Sequence, residues 1–216
     1  MNLDEIVGKI RVILEEEDKA KTEALEGIWK SIRLSGKAIR AAHKSEFKEA
    51  IEKTSEAKKT LDKISEMLEK YPTLYYSNLM MTAYQEYTEA KQLISLLKDN
   101  LFLTPEELGV PNKSYLSGIG DLVGELRRCG LNAIRQGKVK NAEHVLDLME
   151  EIYESLSSVE YPKSLVPGLR RKCDVARALL ERTRGDVMNA IQREKLVKEM
   201  RELTHELMRR SQEPRD

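Results

Sequence analysis

The sequence is poor in the residues that break or cross-link a chain. Its 216 residues include 11 glycines, 6 prolines and 2 cysteines, and aromatic residues make up 5%. So few turn formers exclude a sandwich or barrel of many short strands. Cys129 and Cys173 have no CxxC companion, which argues against a zinc site or disulfide framework and for a reducing, cytoplasmic setting. No apolar run approaches the roughly 20 residues that span a bilayer, so no membrane partner is expected. The opening Met1-Asn2-Leu3-Asp4-Glu5 has no basic segment followed by an apolar one, so no secretory signal is expected. P-loop and GxGxxG motifs are missing, and no Ser-His-Asp or Cys-His pattern is localised. A di-iron bundle needs a Glu-x-x-His motif from each of two helices, and the sequence does not supply two. Neither sign of charge is in excess, 37 Lys and Arg against 37 Asp and Glu. That balance disfavours a uniformly basic nucleic-acid binder, but it does not say where the charges sit.

What is present is a chain of good helix formers, 34% of it charged. A single all-α domain over 1–210 is predicted, about seven helices in an elongated bundle, with 211–216 as a frayed tail. Asn2 to about Ala42 reads as one helix of some 60 Å at about 1.5 Å per residue, too long for one small bundle to cover. Ser45 is placed to cap a second helix running to about Lys70, where Tyr71-Pro72 ends it. A third spans about Leu74 to Lys98. Thr104-Pro105-Glu106-Glu107 is a capping box opening a short helix. The fourth long helix covers about Ser114 to Gln136, with Gly137 as its C-cap. The fifth runs from about Lys140 to Ser157. A sixth lies between Pro167 and Arg184, closed by Gly185, and a seventh follows to about Arg210. Val197, Met200, Leu203, Leu207 and Met208 form an apolar stripe on it, suited to a partner or to the chain's own core.

The charges are unevenly placed. Residues 30–44 hold Lys30, Arg33, Lys37, Arg40 and Lys44 and no acid. Steps of three and four put all five on one helix face, where they repel one another unless an anion neutralises them. Arg127, Arg128, Arg135, Lys138 and Lys140 form a looser second basic stretch. Together the two can follow a phosphate backbone. Tyr75, Tyr76, Tyr84 and Tyr87 are a cluster better explained by packing than by base stacking. The alternatives are a solvated face, or a stripe paired with acids of a neighbouring subunit.

Two acidic pairs stand out. Glu86 and Glu89 are three residues apart and Asp121 and Glu125 four, so each pair projects from one helix face. The first spacing recurs at Glu23/Glu26 and elsewhere, but the second lies in the apolar, glycine-rich run from Tyr115 to Leu126. Gly118, Gly120 and Gly124 each cost a helix about 1 kcal/mol relative to Ala, which close helix approach would offset. Carboxylates buried by that approach need a cation or a hydrogen-bond donor. The plain reading is an internal ion pair, to Arg127 or to a lysine of another helix. If the pairs converge, four carboxylates form an all-oxygen site that selects Mg²⁺ or Mn²⁺ over zinc or copper.

The run Tyr115-Leu-Ser-Gly-Ile-Gly-Asp-Leu-Val-Gly-Glu-Leu-Arg127 resembles the central motif of translin-associated factor X, roughly YLxGxxDLxGEL. Gln85-Glu86-Tyr87-Thr88-Glu89-Ala90 resembles the same family's QEYxEA motif, and Arg184-Gly185 matches a recurrent position. The resemblance implies a seven-helix protein assembled into a hollow octameric barrel enclosing RNA. On the factor X branch it further implies Mg²⁺-dependent cleavage of single-stranded RNA by Glu86, Glu89, Asp121 and Glu125, which would serve as both metal ligands and catalytic residues. The translin branch binds single-stranded RNA or DNA without that acidic set. All four acids are present here, which favours the catalytic branch. The short chain looks more like the archaeal members, which implies a homo-oligomer. Lys30, Arg33, Lys37, Arg40, Arg127 and Arg128 are the candidate nucleic-acid contacts. A non-catalytic single-strand binder and a plain helical interaction protein are the competing readings.

Overall fold

The structure, a computed structural model, describes residues 2–159 and 165–211. Among these the chain is all-α, with eight helices: α1 (Leu3–His43), α2 (Phe47–Leu68), α3 (Pro72–Tyr75), α4 (Asn78–Asp99), α5 (Pro105–Leu108), α6 (Asn112–Arg135), α7 (Val139–Ser157) and α8 (Leu169–Ser211). No helix among the described residues is long and apolar enough to cross a membrane. The expected tail 211–216 lies outside the described residues but for Ser211, the last residue of α8, as does Tyr161-Pro162.

Local chemistry accounts for most boundaries. Asn2 caps α1 and Glu5 reaches back to complete the box, satisfying two donors that a helix start leaves open. Thr104 and Glu107 do the same for α5, with Pro105 in its first turn. Gly137, at φ +71°, ends α6 in a left-handed turn. The Lys138 and Gly137 amides there donate back to Ala133 and Ile134, as a Schellman closure requires. Replacing Thr104 by Ala should cost about 1 kcal/mol, read as a lower midpoint in urea unfolding.

Three expected boundaries are corrected. Ser45 does not cap α2. It stands at φ 63°, and its amide and that of Glu46 close α1 on Ala42 and Ala41. Glu46 holds the cap position of α2 without a side-chain bond. The third helix is interrupted after Tyr75 and restarts at Asn78, because Ser77 caps it by accepting from the Met80 amide. The sixth and seventh helices are one: α8 passes through Gly185 unbroken. A single helical glycine costs about 1 kcal/mol, and the buried Thr183 and Val187 on either side keep the packed face continuous.

The described residues gather into two compact units, 2–122 with 165–172, and 123–159 with 173–211. The first is built on α1, α2 and α4, with Ile28, Leu61, Ile64, Leu68, Met80, Tyr84 and Leu108 in its core. In the second, Val123, Leu126, Val145, Met149, Ile152, Leu180 and Val187 are buried. The Tyr cluster divides: Tyr84 and Tyr87 are core, whereas Tyr75 and Tyr76 pack edge to face at 4.9 Å.

Burial, the leading cause, pushes the Tyr84 and Tyr87 hydroxyls from 10 up to about 12. Between those values the folded chain keeps protons that the unfolded chain has released, so stability falls as pH rises through that window. Thermal melts should lose midpoint steeply above pH 10, and Tyr87→Phe should blunt the loss.

Candidate functional site

The two acidic motifs lie on α4 and α6, and buried polar groups hold the start of α6 against α4. Gln92, with no exposed surface, donates to the Leu103 carbonyl at 2.6 Å and accepts from its amide at 3.1 Å. The Tyr115 hydroxyl donates to the same carbonyl at 2.9 Å, and Ser114 Oγ donates to the Met81 carbonyl at 3.0 Å. One turn on, α6 meets α4 at Gly118, where a Cβ would stand 2.7 Å from the Gln85 carbonyl oxygen and from Thr88 Cβ. The close approach expected of the glycine run is therefore made at Gly118. Gly124 does not share it, since a Cβ there meets nothing within 4 Å.

That approach brings Gln85, the first residue of the α4 motif, to Asp121. Gln85 Nε2 donates to Asp121 Oδ2 at 2.5 Å, and Lys172 Nζ donates to Oδ1 at 2.5 Å. Lys172 is in the first turn of α8, and its stem passes 3.1 Å from the position of a Gly120 Cβ. A side chain at position 120 would crowd the lysine that holds Asp121. Both groups are largely withdrawn from water, with side chains 22% and 33% exposed for Lys172 and Asp121. Of the internal partners expected for Asp121, it is the lysine of another helix that is found.

Glu89 is buried at 8% exposure, and Glu86, on the same α4 face, is half-buried. Glu125 lies one turn beyond Asp121 along α6 and is reached by Arg128 Nη1 at 3.8 Å. Carboxylate oxygens are hard donors of the kind that Mg²⁺ and Mn²⁺ take, and Asp121 already pairs with one cation, the Lys172 ammonium. As the side chains stand, no group of three or more His, Cys, Asp or Glu among the described residues could hold a metal ion.

The basic residues sort into three groups. Lys30, Arg33, Lys37 and Arg40 are all exposed on α1. Lys30 is paired with Glu56 of α2 at 3.1 Å; Arg33, Lys37 and Arg40 make no ion pair with a described residue. Arg128 is exposed. Arg127 is engaged within the second unit: Nη1 donates to Thr183 Oγ1 at 2.7 Å and Nη2 pairs with Asp186 at 3.0 Å. It ties α6 to α8, and replacing it by Met should destabilise the fold by 1–3 kcal/mol by leaving Thr183 and Asp186 with an apolar neighbour, seen as a lower unfolding midpoint.

Sequence reasoning missed Lys172. It follows Arg170 and Arg171 in a basic triplet, where nothing sets it apart; only the path over Gly120 does. Gln85 was visible as a motif residue but not as the donor that fixes the Asp121 carboxylate.

Residues 5–184 match the sequence profile of the Translin family. An uncharacterized protein of Methanocaldococcus jannaschii is 33% identical over 188 residues, covering 85% of this chain and 82% of that one. The solved structure of AfC3PO is similar, with 35% identity, a TM-score of 0.78, and coverage of 85% of this chain and 96% of that chain. The complex of AfC3PO with duplex RNA matches with 34% identity and a TM-score of 0.78 over 85% of this chain and 95% of that one. Apo-NeC3PO is 25% identical, with a TM-score of 0.79, over 88% and 98%.

Proposed function

The chain belongs to the translin family, and on that premise we propose that it is a Mg²⁺-dependent endoribonuclease that binds and cleaves single-stranded RNA inside a homo-oligomeric shell. The observation that carries this reading is the meeting of the two acidic motifs, with Asp121 of α6 held by Gln85 of α4. Presence of all four acids supports the factor X branch over the translin branch, and similarity to the Methanocaldococcus jannaschii protein supports an archaeal type. Similarity to a C3PO solved with duplex RNA supports RNA as the polymer.

Glu86, Glu89 and Asp121 would hold Mg²⁺ or Mn²⁺, with Glu125 as the fourth carboxylate of the set. A bound ion supplies Lewis-acid catalysis of phosphodiester hydrolysis. Gln85 fixes the Asp121 rotamer by its amide hydrogen bond. In the hydrolysis the attacking water would form the new P–O bond and give its proton to the carboxylate of Glu89 or Glu125, while the bond to the departing sugar oxygen breaks and that oxygen takes a proton from solvent. Lys30, Arg33, Lys37 and Arg40, with Arg128, hold the backbone through its phosphates. Cleavage of single-stranded RNA should vanish in EDTA and return with added Mg²⁺ or Mn²⁺; undiminished cleavage in EDTA sinks the proposal.

Lys172 competes for the same carboxylate. Lys172→Met should raise Mn²⁺ affinity severalfold in calorimetric titration, since an internal cation no longer has to leave Asp121.

A second reading, a non-catalytic single-strand RNA or DNA binder, is favoured by the closed Asp121–Lys172 pair and the lack of a converged cluster among the described residues. Salt-sensitive binding without metal-dependent cleavage would establish it. On oligomerisation, the octamer implied by the resemblance gives a native mass eight times 24.8 kDa, and Met200 and Leu203, exposed on α8, are suited to that contact.

A further inference from the structure

The one tryptophan of the chain is not in a core. Trp29 is 49% exposed on α1, although its neighbour Ile28 is buried at 2%. At 3.6 residues per turn, Trp29 falls roughly 40° from Arg33 and roughly 20° from Arg40 on the outer face of the helix. Gly36, two turns on, adds no bulk to that line; a Cβ there would meet only Arg40 Nη1, at 3.6 Å. The arrangement is a large exposed ring beside cations that no described acid pairs with, and no acid occurs between Lys30 and Lys44.

Few occupants satisfy both features. An acidic peptide would neutralise the cations and leave the indole in water. A second copy laid on this face by a two-fold axis would cover the indole but bring the stripe against an identical stripe, like charge on like. A duplex offers phosphates, but its base faces are already stacked on one another. An unpaired strand offers both: phosphates for Arg33, Lys37 and Arg40, and a free π-face for the ring.

We propose that Trp29 is a stacking platform for an unpaired base of a strand whose phosphates run along Lys30, Arg33, Lys37 and Arg40. This rests on the RNA-binding part of the function proposed above and is independent of metal and cleavage. It gives the chain a means of preferring single strands that base-blind phosphate contacts cannot supply.

The test uses the full chain in EDTA, so that no strand is cut. A labelled oligouridylate reports binding by anisotropy, while intrinsic emission reports Trp29 alone, because no other tryptophan is present. Emission should quench in step with the anisotropy curve. Trp29→Ala should weaken binding roughly tenfold with the salt slope unchanged, and Trp29→Phe should recover most of the loss. Arg33→Ala should instead reduce the salt slope by about one. Anisotropy binding with unquenched emission and an unaffected Trp29→Ala overturns the platform and leaves RNA binding standing. No binding by either readout overturns both. Equal quenching by a fully paired duplex overturns the preference for unpaired bases. Emission that ignores RNA but red-shifts on dilution, as the native mass falls, assigns Trp29 to a subunit contact and also overturns it.

Discussion

Replacing Asp121 by Asn should lower the rate of Mg²⁺-dependent RNA cleavage by a factor of 10² to 10³, with single-strand binding in EDTA unchanged within about threefold. The size of the effect follows from removing one of the charges that would neutralise the ion. A group that stabilises developing charge in a water-poor site is worth ~3–4 kcal/mol, and each 1.36 kcal/mol is tenfold in rate. Asn keeps the shape and still accepts from Gln85, so a loss of this size reports charge rather than packing. Binding should hold because the phosphate contacts proposed on α1 lie on another helix. The competing account is that Asp121 only balances Lys172. On that account Asp121→Asn and Lys172→Met should look alike, both lowering stability and neither altering divalent-ion affinity. On the account proposed here they move Mn²⁺ affinity in opposite directions. Cleavage rates, calorimetry and melting of the two variants separate the accounts, and an Asp121→Asn protein that cuts RNA at the normal rate rejects the metal role.

Gly118→Val should cost about 3 kcal/mol of stability, whereas Gly124→Ala should be neutral or stabilise by up to ~1 kcal/mol. The two glycines belong to the same motif and the same helix, so propensity alone predicts a gain at both. What separates them is the neighbour. At Gly118 the added atom stands 2.7 Å from a main-chain carbonyl oxygen of Gln85, and helix backbone cannot yield as a side-chain tip can. α6 must move away from α4 or both must distort, at the cost usual for overpacking. At Gly124 the space is open, and Ala restricts the unfolded chain without straining the folded one. A chain of this size shifts its melting midpoint by ~2–4 °C per kcal/mol, so Gly118→Val should melt some 6–12 °C lower. Displacing α6 also pulls Asp121 from Gln85, so Gly118→Val should lose cleavage beyond its loss of folded protein.

Helices with strong local signals were readable from the amino acids. The Thr104-Pro105 box at α5 and Gly137 after α6 are decided by groups within a few residues, and the structure shows both. Ser45 was misjudged because a serine before a helix and a residue closing the previous one look the same in sequence; the α1 carbonyls settled it. Gly185 reads as a stop, but the packed face on both sides carries α8 through. In the candidate site, the acid-bearing faces of α4 and α6 were legible from spacing. That Gly118 meets Gln85, that Lys172 crosses Gly120 to reach Asp121, and that Arg127 is taken by Thr183 and Asp186 are contacts across 33 to 59 residues of chain, and no local pattern encodes them.

The first buried residue of α1 is Ala24, and Leu3, Val7, Ile10, Ile13 and Leu14 before it are all exposed. Those opening turns take no cover from the described remainder of the chain, and a helix without tertiary contact is marginal in water. Their backbone amides should therefore exchange with deuterium within seconds when the protein is dilute, while those of Ile28 to Ile39 stay protected. If assembly covers the apolar stripe, protection of residues 3 to 20 should rise with protein concentration along one mass-action curve. The beginning of the chain then serves as a gauge of how much of the protein is assembled.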